Sequence, residues 1–240
     1  MIAAAIDKIL SLGKPVAINV NNEDYSTLNL HRINKDLRAE ELRVATLSSL
    51  VDYIHEFDRD MKDMKYIVHV VSPTQVELIS SLDGDRKRET LMVVKAEVPK
   101  IPFDTYIDNE KMLISMQSMF IDDPETDRKT ILKFAGTVTS GSIKEYGDDG
   151  VTQKATIKQG VASKAEAIVP SPCVLRPFRT FPEVEQPVSV FIFRMRNGAS
   201  GNVEAAIFEA DGGAWRNQAR ENIRVYLEKR LEETGVGVIS

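Results

Sequence analysis

Between Lys65 and Val98 the chain reads KYIVHVVS, TQVELISS and RETLMVVKAEV, three β-rich runs parted by Ser72-Pro73 and by Asp83-Gly84-Asp85. Links this short cannot hold a helical crossover, whereas antiparallel neighbours need only a turn. The spacing therefore predicts an antiparallel meander, and the rest of the chain has to supply what covers its apolar face.

Helical patterns cluster at the start, middle and end. Ile2, Ala5, Ile6, Ile9 and Leu10 recur at helical spacing and stop at Gly13-Lys14-Pro15, a glycine cap followed by a proline stop. VAINV and DYSTLNLHRI then flank Asn21-Asn22, a pair suited to a hairpin turn. After the charged connection NKDLRAEELRVA, the stretch TLSSLVDYIHEF places Leu47, Leu50, Val51 and Ile54 on one face, with Thr46 or Ser48 as cap. Pro99 and Pro102 break the chain before DNEKMLISMQSMF, a helix starting at Asp108 or Asn109 with Met112, Leu113, Met116, Met119 and Phe120 as its apolar positions. DDPETDRKTILKF predicts another, capped by Asp122 or Asp123 with Pro124 in first position.

Strand patterns return in GTVTSGSIKEYG, VTQKATIKQG, CVLRPF, PVSVFIFRMR and NVEAAIFEA, with a turn at Asp148-Asp149-Gly150. A last helix begins at Ala214 and aligns Trp215, Ala219, Ile223, Tyr226, Leu227 and Leu231. Strands with helices grouped in this way predict an α+β fold, mostly antiparallel, with an N-terminal helix, a mid-chain helical insert and a C-terminal amphipathic helix. The expected organisation is a single domain over 1–240, with candidate subdivisions near 99–104 or 134–137.

At 240 residues the chain is long enough for a large core, and its net charge of −5 disfavours an extended basic surface for duplex nucleic acid. The lone Cys173 rules out an intrachain disulfide and fits a reducing cytoplasm. Asp7 and Lys8 interrupt the N-terminal apolar pattern, and no charged leader precedes it, so this segment reads as a helix of the mature protein. No apolar run reaches the length of a membrane span, so no membrane partner is expected.

Residues 172–198 hold four arginines and four phenylalanines and neither histidine nor lysine. In PVSVFIFRMR both alternating faces are apolar for most of the run, the pattern of a strand covered on both sides. Arg194 and Arg196 leave it on one face, and Arg176 and Arg179 from CVLRPFRTF would join them in a planar, permanently charged cluster for phosphate, carboxylate or nucleic acid. The competing reading pairs these arginines with Glu183, Glu185, Glu209 or Asp211 and makes them ties for loops. Phe178, Phe181, Phe191 and Phe193 suit a base-stacking platform or, in a central strand, the core.

The acidic pairs at Asp83/Asp85, Asp122/Asp123 and Asp148/Asp149 have the composition of turns and caps and lack the spacing of a calcium loop. His31, His55 and His69 are scattered, with His69 expected as a core or strand residue, and no metal site or cofactor is predicted. No nucleophile elbow, phosphate-cradling loop or dinucleotide fingerprint occurs, so catalysis is unsupported.

The succession ATLSSLVDYI, HVVSP, LISMQSMF, DDGVTQKATIKQG, RPFRTFPEVEQPVSVFIFRMR and EADGGAW resembles the YfdQ-like family of uncharacterised phage and prophage proteins. That resemblance implies a phage or prophage setting inside a bacterial cell and transfers no catalytic residue. In its most particular block, Arg176, Arg179, Glu183, Gln186 and Pro187 would fix an irregular loop against the sheet through forked arginine pairs and a proline-limited strand start. The expected function is that of a non-enzymatic cytoplasmic accessory protein working as a homo-oligomer, a ring or shell at the extreme, through a sheet edge or an amphipathic helix. The alternatives are a single-stranded nucleic-acid or nucleotide-binding module resting on Arg176, Arg179, Arg194 and Arg196, and a metal-dependent enzyme.

Overall fold

A computed structural model describes residues 2–20, 23–28, 38–61, 64–138, 143–148, 153–159, 163–168 and 171–240. The chain divides into two compact units, Met1–Arg38 and Ala39–Ser240.

The first unit holds helix α1 (Ile2–Leu12) and the antiparallel strands β1 (Ala17–Val20) and β2 (Glu23–Ser26), in which Ile18 lies opposite Tyr25. The predicted turn at Asn21-Asn22 lies outside the described residues. Ile2, Ile6, Ile9, Leu10, Val16, Ile18, Tyr25 and Leu28 are all exposed. A segment this short rarely builds its own core, and a lone hairpin is marginal in water.

The second unit begins with β3 (Leu42–Val44), α2 (Leu47–Glu56), β4 (Tyr66–Ser72), β5 (Gln75–Ser80) and β6 (Thr90–Lys95). There follow β7 (Ile107–Asp108), α3 (Asn109–Ser118), α4 (Arg128–Thr137), β8 (Ile143–Asp148), β9 (Gln153–Gln159) and β10 (Ser163–Ile168). It closes with β11 (Cys173–Leu175), β12 (Ser189–Asn197), β13 (Val203–Glu209), α5 (Trp215–Leu231) and β14 (Gly237–Ile239). The fold is α+β and mostly antiparallel.

β4, β5 and β6 form the expected meander within a five-stranded sheet of order β14-β4-β5-β6-β3. Both edge strands run parallel to their neighbours, β14 beside β4 and β3 beside β6. Val68 and Val70 of β4, Val76 and Leu78 of β5, and Met92 and Val94 of β6 are buried with Leu47, Leu50, Val51 and Ile54 of α2 and Ile223, Leu227 and Leu231 of α5. Thr46 caps α2 by accepting from the Ser49 amide. A second core joins Met112 and Met116 of α3 and Ile131 and Ala135 of α4 to Phe191, Phe193 and Met195 of β12 in the sheet β11-β12-β13-β7. β8, β9 and β10 make a separate three-stranded sheet. The Gln153 side-chain amide binds both backbone groups of Met195, substituting for a strand neighbour on β12.

Two details correct the sequence reading. α4 starts at Arg128, because Asp123 accepts from the Glu125 amide and bends residues 123–126 into a turn before the helix can begin. β12 is fully covered on one face and only in part on the other. Ser189, Phe191, Phe193 and Met195 point inward, while Val188, Val190 and Ile192 are exposed.

Candidate functional site

The two cores of the second unit are joined by residues 176–188, RPFRTFPEVEQPV, which run between β11 and β12 as irregular chain. Prolines 177, 182 and 187 remove backbone donors and keep this stretch out of regular pairing. Side chains supply the missing ties. The Gln186 amide oxygen accepts from the Arg179 and Thr180 amides at 2.9 and 3.1 Å, and its nitrogen donates to the Phe181 carbonyl at 2.9 Å. Thus stapled, the loop inserts Phe181 and Val184 into the first core, and the Thr180 hydroxyl donates to the Pro73 carbonyl at the β4–β5 turn.

Glu183 caps α2 from outside the helix, its carboxylate accepting from the Leu47 and Ser48 amides at 2.8 and 3.4 Å. A negative group at a helix start satisfies free amides and meets the positive end of the helix dipole. This role differs from the arginine partnership expected for Glu183. On the other side, Asn222 of α5 donates to the Glu185 carbonyl at 2.8 Å.

Arg179 is the centre of the arrangement, with its side chain 6% exposed. One arm of its fork meets Glu209 of β13 at 2.8 Å, and the other donates to the Ser189 hydroxyl. The Ser189 hydroxyl in turn donates a hydrogen bond to Asp211 at 2.7 Å. The guanidinium carbon lies 3.9 Å from the centre of the Trp215 ring and 5.6 Å from that of Phe191, and Arg216 lies 4.9 Å from the Trp215 ring centre. The second oxygen of Glu209 faces Arg216 at 3.6 Å, so one carboxylate serves two guanidiniums.

Burial pushes the Arg179 pKa down to about 10 against the opposing pull of Glu209 and Asp211. Burial alone would raise the Asp211 carboxyl. Hydrogen bonds from Ser189, Gly213 and Trp215, with the charge of Arg179, outweigh that and hold it below the ordinary range. Those bonds depend on the turn after β13, where Gly212 and Gly213 take φ of 63° and 82°. A side chain at Gly213 would collide with the Arg216 guanidinium as well as strain the backbone.

The other three predicted arginines go elsewhere. Arg176 pairs with Asp123 at 3.0 Å and Glu185 at 3.5 Å, while its backbone carbonyl accepts from Ile121. Arg196 pairs with Glu204 at 2.8 Å and stacks on Tyr106, and Arg194 shares that outward face of β12. Glu185 and Glu209 thus take the arginine partnerships anticipated for them, and Asp211 acts through Ser189. Phe181, Phe191 and Phe193 are wholly buried in the cores, and Phe178 is partly exposed. Ser189 and Arg216 escaped the sequence reading and Trp215 entered it only as part of the last helix's stripe, though the Gly-Gly pair after Asp211 in EADGGAW was a visible signal of a special turn.

The remaining chemistry-bearing residues are dispersed. Asp83 accepts from the Lys87 amide, and Asp122 pairs with Arg128 and Lys129. Asp149 and Gly150 of the expected turn, and His31, lie outside the described residues, while Asp148 ends β8. His55 contacts the Arg230 carbonyl, and His69 sits half-buried on the outer face of β4 opposite Glu77. Among the described residues no group of three or more histidine, cysteine or acidic side chains gathers as a metal site. Cys173 is buried, and burial followed by the nearby Asp127 charge pushes its thiol up to about 12, so it stays protonated. An open groove of about 690 Å³ runs over β3, β5 and β6, lined by Glu41, Arg43, Gln75, Glu77 and Lys95. No helix among the described residues is long and apolar enough to cross a membrane.

Comparison with protein-family models, with curated proteins and with solved structures finds no match to this chain.

Proposed function

We propose that the protein is a non-enzymatic assembly component that works as a homo-oligomer, with rings and closed shells among its candidate forms. The observation that carries this reading is the uncovered first unit, in which α1 and the β1–β2 hairpin present their large apolar side chains to solvent. Exposed apolar surface on this scale marks an interaction site, and a second copy is the partner every homo-oligomer has at hand. The motif resemblance supports a phage or prophage setting in the cytoplasm of a bacterial cell. The nucleic-acid alternative draws less support, since the carboxylates beside Arg176, Arg179 and Arg196 and the burial of Phe181, Phe191 and Phe193 favour structural roles.

Light scattering on the purified chain, with the ultraviolet absorbance ratio followed across the same peak, tests the reading. The expected result is a discrete multiple of 26.8 kDa free of nucleic acid, collapsing toward a single chain in an Ile6→Ser/Ile9→Ser variant. A mass near 26.8 kDa at micromolar concentration for the unaltered chain would overturn it.

A further inference from the structure

Among the described residues β3 has a strand neighbour on one side only, β6, so part of its backbone faces outward from the sheet. No backbone hydrogen bond from another described segment meets Leu42, Arg43 or Val44 on that outer side. An open edge accepts any extended chain, and proteins commonly blunt it with charge. Here the charges are arranged so that they also fit their own inverse.

Leu42 stands at the centre, 47% exposed although its partner on β6, Met92, is buried in the core. Glu41 and Arg43 flank it on the opposite face of the sheet, where both line the open groove. The Arg43 guanidinium donates to the Glu41 carboxylate at 2.8 Å, and its side chain is still 81% exposed. Turned by half a rotation about Leu42, a second β3 laid antiparallel against the first sets Glu41 of each copy opposite Arg43 of the other. The four charges then alternate both along and across the strands, so each chain keeps its own pair and gains two more. Leu42 meets Leu42 on the core side. The neighbouring registers, centred on Glu41 or on Arg43, oppose like charges, so the sequence selects one register.

Resting on the assembly reading above, we propose that the outer edge of β3 is a two-fold docking edge for β3 of a second copy, antiparallel and centred on Leu42. The two five-stranded sheets then continue as one. A strand of three residues is too short to hold two copies by itself, so its part is to set their orientation while the apolar surface of the first unit supplies area.

The test mixes two variants. Arg43→Glu leaves two acidic residues on that face and Glu41→Arg two basic ones, so each alone opposes like charges across the edge. Each should raise the concentration needed for association by about tenfold or more, read by light scattering along a dilution series. Combined in equal amounts, the two should associate again as the unaltered chain does, although neither contains an internal pair at 41 and 43. Independently, a Leu42→Cys chain should oxidise to a disulfide with its own twin at higher yield than Glu40→Cys, which lies two residues off the axis on the same face. Cys173 is buried and stays out of that exchange. A single chain for the unaltered protein would overturn the assembly reading and the edge with it. An intact oligomer whose variants assemble undiminished on their own, whose mixture gains nothing over either alone, or in which Glu40→Cys joins better than Leu42→Cys overturns the β3 edge alone.

Discussion

Helices α1 and α2 differ by one residue in length, 11 against 10, and each carries four large apolar side chains at helical spacing. In α2, Leu47, Leu50, Val51 and Ile54 are 0%, 0%, 8% and 2% exposed; in α1, Ile2, Ile6, Ile9 and Leu10 are 78%, 51%, 67% and 63% exposed. The periodicity is equally clear in both, so it specifies a face without specifying what covers it. α2 has a sheet beneath it, α5 beside it, its own cap in Thr46 and a borrowed one in Glu183. α1 has neither an acidic first turn nor a basic last turn, and a helix of its length is marginal in isolation. On the assembly reading its stripe is the half of a core that another copy completes.

The contrast breaks most forcefully at Arg179, which anchors the segment carrying both Phe181 and the cap residue Glu183. Arg179→Ala leaves Glu209 and Asp211 without their buried partner and should lower unfolding stability by about 3–5 kcal/mol, read from denaturant titration. Arg179→Lys should not restore it, because an ammonium cannot span Glu209 and Ser189 or stack on Trp215 as a planar fork does. Next in size, Leu50→Ala opens a cavity in the first core and should cost about 2–5 kcal/mol, whereas Ile6→Ala should move stability by no more than about 0.5 kcal/mol while weakening assembly. Equal losses from these two substitutions would erase the distinction between the helices.

A smaller effect follows from Asp211. Its folded-state carboxyl titrates below the ordinary 3.8, so its contribution is complete above that value and drains away as pH falls through the lower folded one. Asp211→Asn should therefore flatten the acid limb of the stability profile below about pH 4, measured by thermal unfolding across pH, and leave its slope near neutrality unchanged.

The meander and the stripes of α2, α3 and α5 were legible because each repeats with a period that the backbone imposes, and the cap at Asp108 because an acidic side chain suits a helix start. β3 and β14 were not, since three-residue strands show no alternation, and their parallel pairing depends on distant chain. α4 started late because an Asx turn at Asp123 competed successfully for the first amides. At the Arg179 centre the residue types were readable, and even the Glu209 pairing was among the alternatives. The stacking of Arg179 on Trp215 and the hydrogen bonds that link Arg179 to Asp211 through Ser189 were not, because both need β12, β13 and the start of α5 to be brought together first. The open face of β12 was misread for a related reason: Val, Ile and Phe look alike on both sides of a strand until a neighbour is present to bury one side.

The edge position of β14 bears on the order in which this molecule assembles itself. β4, β5 and β6 pair with near neighbours in the chain, but His69 finds its outer partner only at Ile239, after α3, α4, the second sheet and α5 have intervened. Closing so long a loop is entropically unfavourable until other contacts have shortened it, which makes the β14–β4 pairing a late event. Until α5 docks, the backbone groups along that edge of β4 stay unmatched, and the folding chain passes through a stage in which its best-formed sheet is also its most adhesive part.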